Sequence, residues 1–122
     1  MDNAVNWFEI PAADFERAIR FYENVMTCKL ERMTMGDAMM AMFPTSGSGV
    51  GGCLVSHPMM KPSPNGSCVY LNAGKDLAPA LARVAPAGGS VVVPRTKISD
   101  EIGYFAVFID SEGNRVGLHS TH

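Results

Sequence analysis

A small set of side chains in this sequence has the chemistry to hold or transform a small molecule, and they cluster at three places: Trp7 and Glu9, then Cys68, Tyr70 and Asn72, then Arg115 and His119. Glu9 and His119 are the candidate catalytic residues, because a carboxylate beside an imidazole fixes its tautomer and raises its basicity. The same pair, with Arg115 nearby, is also the composition of an ordinary buried ion pair. Trp7 and Tyr70 offer flat apolar faces, suited to stacking on a planar ligand, to sitting over a cation, or simply to packing a core. Cys68 becomes a nucleophile only if a cation lowers its pKa, and His119 is the candidate helper; otherwise the thiol is a small hydrophobe.

These residues need elements to position them. Val5 to Ile10 alternates with period two, Asn6, Phe8 and Ile10 on one side and Val5, Trp7 and Glu9 on the other, which predicts a strand ended by Pro11. Asp14 then caps a helix whose apolar positions, Phe15, Ala18, Ile19, Tyr22, Val25 and Met26, recur at three- and four-residue steps. Residues 29–34, 37–43 and 51–56 read as a meander of three strands, broken by Gly36 and by the turn chemistry of 44–49. The segment 57–66, with Pro58, Pro62, Pro64 and Asn65-Gly66, has no apolar period and reads as a linker.

The pattern then starts again. Residues 67–72 alternate, with Cys68, Tyr70 and Asn72 opposite Val69 and Leu71. Asp76 caps a second helix striped by Leu77, Ala80, Leu81 and Val84, with Pro79 in its first turn and Pro86 and Gly88-Gly89 at its end. Residues 90–97, 103–109 and 115–120 are three further strands, the last two joined by Asp110-Ser111-Glu112-Gly113-Asn114. The order is βαβββ twice, an α+β fold in one domain over 1–122, with modules at about 4–56 and 67–120. One helix per module covers one sheet face and leaves the other free; two such free faces opposed would make a cup. If the helices cover Phe8, Ile10, Val69, Leu71, Val116 and Leu118, the cup faces carry Trp7, Glu9, Cys68, Tyr70, Asn72, Arg115, Gly117 and His119.

Composition narrows the partners. A length of 122 residues fits one domain, and 47% hydrophobic with 18% charged residues is a globular balance. A net charge of −2 with scattered basic residues gives no footprint for nucleic acid, and no apolar run is long enough to span a membrane. Met1-Asp2-Asn3 does not open a signal peptide, so a cytoplasmic protein is expected. Cys28, Cys53 and Cys68 have neither disulfide nor zinc-knuckle spacing and read as reduced thiols. Met33, Met35, Met39, Met40 and Met42 crowd two strands, with Met59 and Met60 following, which suits a pocket for variable apolar shapes or the filling of a core or dimer interface. His57 and His122 are expected in solvent. Gly47, Gly49, Gly51 and Gly52 precede no helix, so they make no phosphate loop.

Asp14-Phe15-Glu16-Arg17-Ala18 with Phe21-Tyr22, Asp76-Leu77, Ala87-Gly88-Gly89 and the closing run from Asp110 to Leu118 together resemble the vicinal-oxygen-chelate superfamily, which includes glyoxalase I, extradiol dioxygenases and bleomycin-binding proteins. The resemblance implies paired βαβββ modules around a cup, often built across a homodimer. It also implies that metal-dependent members draw His, Gln or Glu ligands from the first, fourth, fifth and last strands. Counted from Asp14, the first of these positions holds Trp7, the fifth-strand position falls near Cys68, and the last is Gly117; the fourth strand, Gly51 to Val55, offers no carboxylate or imidazole. No metal site and no cofactor are therefore expected. The leading expectation is a metal-independent protein that binds a small apolar or planar molecule, with sequestration of a toxic compound as one purpose. The alternatives are a glyoxalase-like lyase or isomerase using Glu9 and His119 or an unrecognised metal site, and a partner-binding module whose cup is filled by its own side chains.

Overall fold

The computed structural model describes residues 3–122. In chain order the elements are β1 (Trp7–Pro11), α1 (Phe15–Met26), β2 (Glu31–Met35), β3 (Ala38–Met42), β4 (Gly51–Ser56), β5 (Tyr70–Asn72), α2 (Ala78–Ala82), β6 (Ser90–Ser99), β7 (Gly103–Ile109) and β8 (Arg115–Ser120). They form two sheets of the same connectivity, β1-β4-β3-β2 and β5-β8-β7-β6. In each, the first strand runs parallel to the fourth and the other pairings are antiparallel. The expected α+β arrangement of two βαβββ units is the observed one.

Helix α1 begins where Asp14, in an extended conformation, accepts a hydrogen bond from the Arg17 N–H at 3.1 Å. It ends at Thr27, which takes a left-handed conformation (φ 47°) and returns its N–H to the Glu23 carbonyl. Phe15, Ala18, Ile19, Tyr22 and Val25 are buried, as their spacing requires, and Phe21 adds a second contact line. Helix α2 is much shorter than its stripe suggested. It spans five residues; Leu77 is its N-cap and makes no side-chain cap bond, and Asp76, expected as the cap, lies one residue earlier and accepts from the Ala78 N–H at 2.9 Å. Pro79 in the first turn and the Pro86/Gly88 region leave little sequence able to propagate an α-helix, so the chain continues in turns that still bury Val84. Strand β5 is likewise three residues long where six were expected, and β6 runs two residues further, with register shifts around Pro94. As an edge strand, β6 accommodates a residue without an N–H.

One core joins the halves. Ile10, Ala41 and Leu54 of the first sheet and Leu71, Phe108, Val116 and Leu118 of the second fall in a single buried cluster with both helices. Tyr22 is its pivot: its ring lies edge-on to Phe43 at 5.6 Å, close to Phe108, and its hydroxyl donates to Asp110 Oδ2 at 2.7 Å. Burial, followed by the Asp110 carboxylate, holds the Tyr22 phenol well above its ordinary value, so it stays a donor. Asp110 also accepts from the N–H groups of Glu112 and Asn114, while Asn114 Nδ2 donates to the Pro11 carbonyl at 2.7 Å. The turn between β7 and β8 thus brackets β1 and α1. Glu112 completes the bracket, its shielded side chain accepting from the Asp14 N–H at 2.6 Å and from Arg17 Nε at 2.7 Å.

Candidate functional site

Sheet register decides which side chains share a surface. Trp7 pairs with Gly51, Glu9 with Cys53, Met42 with Cys53, Met40 with Val55 and Met33 with Met40. Trp7, Glu9, Met33, Met40 and Met42 therefore lie on one face, opposite the face that Ile10, Ala41 and Leu54 bury against α1. Met33, Met35, Met40 and Met42 share the tryptophan's face, while Met39 lies on the opposite face and is exposed. Met40, Cys53 and Val55 form a separate buried cluster on this face, with Met42 and Met60 packed against it. Met33 and Met35 are exposed. Burial, with the Glu9 carboxylate next, pushes the Cys53 thiol up to about 11, so it is an inert apolar group at neutral pH.

In the second sheet Tyr70 pairs with Gly117, Asn72 and Phe105 with His119, and Ile109 with Arg115. Tyr70, Ile98, Phe105 and His119 line a hollow of about 350 Å³, with the Tyr70 and Phe105 rings edge-on at 6.3 Å. His119 Nε2 lies 2.7 Å from the Ile102 carbonyl, which can only accept. Nε2 therefore carries a proton, and in the neutral ring Nδ1 carries the lone pair.

The two sheets repeat one device. A Cβ added at Gly117 would stand 2.3 Å from the Tyr70 ring, and one at Gly51 would stand 3.2 Å from the Trp7 ring. Each parallel strand pair thus lays an aromatic from the edge strand across a glycine of its neighbour. Tyr70, two residues beyond Cys68, holds on β5 the place that Trp7 holds on β1. This shifts the fifth-strand position from the neighbourhood of Cys68 to Tyr70. The offset arises because β5 pairs over only three residues, too few for the counting of strand residues to fix its register.

Of the sequence-derived candidates, Tyr70 and His119 are brought together, and Trp7 and Glu9 share the methionine face. Glu9 and His119 stand on different sheets. No hydrogen bond or ion pair joins Glu9 to His119 or to Arg115 among the described residues. The hollow beside His119 has no lining residue from the first sheet. The expectation that the halves of one chain oppose their free faces is corrected on this point, because both sheets spend their helix-side faces on the common core. Trp7 and Tyr70 remain 46% and 52% exposed, which is what an unopposed face leaves. Asn72 Oδ1 accepts from the Gly74 N–H at 2.8 Å and serves the turn into α2. Arg115 is exposed at the start of β8 and Cys68 is half-buried ahead of β5. His57, expected in solvent, is half-buried, with Nδ1 accepting from the Met59 N–H at 3.0 Å.

The donor set does not fit a divalent metal. Among the described residues no three His, Cys, Asp or Glu side chains converge. The space a last-strand carboxylate would need above Gly117 is taken by the Tyr70 ring.

A family model, the Glyoxalase/Bleomycin resistance protein/Dioxygenase superfamily, matches residues 4–118, and the chain belongs to that superfamily. A glyoxalase/bleomycin resistance protein from Albidiferax ferrireducens T118 superposes with a TM-score of 0.68 at 16% identity, over 97% of this chain and 98% of that one. The structure of UcmS2 gives 0.67 at 23% identity, covering 98% of each chain. Glyoxalase I from Zea mays gives 0.66 at 18% identity over 95% of this chain, which spans only 45% of the maize protein. At these identities the likeness is one of fold. No curated protein matches the chain. No helix among the described residues is long and apolar enough to cross a membrane.

Proposed function

We propose that this protein is a metal-independent small-molecule-binding protein of the cytoplasm, a homodimer with modules at 4–56 and 67–120, whose cup takes an apolar or planar compound. Sequestration of a toxic compound is one purpose such a cup would serve. The observation that carries the reading is the pair of aromatic plates, Trp7 over Gly51 and Tyr70 over Gly117, at strand positions where ligand-bearing side chains would stand in a metal-dependent relative.

The plates supply wide, rigid, apolar contact at little cost in side-chain entropy. Met33, Met35 and Met42, further across the same face as Trp7, add thioethers that adapt to irregular shapes, while His119 Nδ1 in the neutral ring offers one acceptor to orient a donor on the ligand. A second copy supports the reading because each sheet of one chain presents its plate half-exposed, and a face so rich in Trp and Met is costly to leave in water. Opposing the first sheet of one copy to the second sheet of its partner makes a closed cup from two open halves and brings Glu9 toward the partner's His119.

Thermal-shift measurements with nickel, zinc and manganese, alongside metal analysis of the purified protein, test the metal-independent part. Stoichiometric metal that raises the melting temperature overturns it. Planar apolar compounds that stabilise the fold are expected to quench Trp7 fluorescence, and Trp7→Ala or Tyr70→Ala to weaken them by about tenfold or more. Unchanged affinity in both variants removes the cup from these faces. Sedimentation at micromolar concentration is expected to give a dimer.

A further inference from the structure

A cavity of about 630 Å³ lies on the other side of the molecule's sheets from the aromatic plates. Its walls are Phe8 and Phe43 of the first sheet, Met26 and Cys28 at the end of α1, and Leu71 of β5. Strand alternation sets most of its wall apart from the cup, with Phe8 rather than Trp7 and Leu71 rather than Tyr70 facing it, while Gly51 and Asn72, of the cup's parity, meet it at the rim. The space exists because α1 stops at Met26 and the left-handed Thr27 turns the chain back toward β2, so no helix fills the interval between the sheets beyond that point.

The walls are fixed before any ligand arrives. The Phe8 ring lies over Gly52, where an added Cβ would come within 2.2 Å of it, and it packs on Phe43 at 5.6 Å, which packs in turn edge-on to the buried Tyr22. The mouth is the loop from Pro44 to Val50, which brings the Thr45 and Ser46 hydroxyls to the rim. No charged side chain lines the space, so an ion entering it would lose hydration without a counter-charge, whereas an apolar body would gain by burial. The volume is that of a typical small-molecule pocket. Burial, with Glu23 next, pushes the Cys28 thiol up, so it stays protonated and serves as a soft wall.

We infer that this inter-sheet cavity is a second ligand site, separate from the cup, for an uncharged and mainly apolar small molecule with one hydrogen-bonding end placed at Thr45 and Ser46. The site uses residues of a single chain and does not depend on dimer formation.

The test is titration of the full-length protein with N-phenyl-1-naphthylamine, an uncharged dye that brightens in apolar surroundings. Saturable binding is expected at about one dye per chain in this cavity, counted apart from any that the cup takes up. Cys28→Phe, which fills the space, and Val50→Trp, which narrows the mouth from an exposed loop position, are each expected to weaken it about tenfold or more. Tyr70→Ala, on the opposite face of the second sheet, leaves it unchanged. Bound dye also slows alkylation of Cys28 by N-ethylmaleimide, read by peptide mass spectrometry, without slowing that of Cys68. Unsaturable binding, indifference to both cavity variants in folded protein, or loss of binding in Tyr70→Ala overturns the inference; the last result places the dye in the cup instead.

Discussion

The two faces of each sheet are made from alternate residues of the same strands, yet they have different fates. On the helix side, Leu54 and Phe108 are fully buried in one core that spans both halves; on the other side, Trp7 and Tyr70 stay about half-exposed over glycines. The difference teaches where stability and recognition reside. The burial that is cooperative across the halves is on the helix side, and the opposite faces, apart from the small Met40, Cys53 and Val55 cluster, keep apolar surface in reserve for something outside the chain.

The comparison breaks most visibly at Phe108. Phe108→Ala is expected to cost about 3–5 kcal/mol, because the ring touches Phe21 and lies near Tyr22 in a space that cannot collapse without moving a sheet; urea denaturation measures it. Tyr22→Phe is expected to cost about 2 kcal/mol by the same assay, since it keeps the packing and removes one donor from the buried Asp110 carboxylate. A loss under half of that would mean the bracket between the halves is held by Asn114 and Glu112 without Tyr22.

A smaller effect is expected from acid. Burial alone would raise the Glu112 carboxyl, but Arg17, the Asp14 N–H and the Ser111 hydroxyl outweigh it and hold the group below its ordinary 4.5. A carboxyl lowered by folding contributes stability that is full above the ordinary value and is lost as pH falls through the folded value. Stability should therefore decline below about pH 4.5 in the parent, and Glu112→Gln should flatten that decline while lowering stability at neutral pH. An unchanged acid profile in the variant would show that other carboxylates drive acid unfolding. The smallest effect is expected on the outer face, where Trp7→Ala should change monomer stability by less than about 1 kcal/mol while weakening ligand or dimer formation. A loss as large as that of Phe108→Ala would erase the distinction between the faces.

Much of this arrangement was legible in advance. The period-two and helical spacings around Asp14 and Asp76 announce two like units, since alternation and capping are local consequences of backbone geometry. The same alternation sorts Trp7 and Glu9 from Phe8 and Ile10. Helix α2 was overread, because Leu77, Ala80 and Val84 are buried by neighbours rather than by a continuing helix. The Asp110 to Asn114 segment reads as a turn, but its bonds to Tyr22, Pro11 and Asp14 join residues 88 to 103 positions apart, which no local signal encodes.

By itself the sequence determined which side chains share a strand face, and its family resemblance put Trp7, Cys68 and Gly117 where metal ligands would be expected. Only the tertiary structure decided how the faces meet: that Tyr70 rather than Cys68 lies across Gly117, that Glu9 and His119 are not neighbours within a chain, and that a cavity remains beyond the end of α1. The physical reason is that alternation is a property of one strand, whereas register and the packing of sheet on sheet depend on which apolar surfaces win the common core.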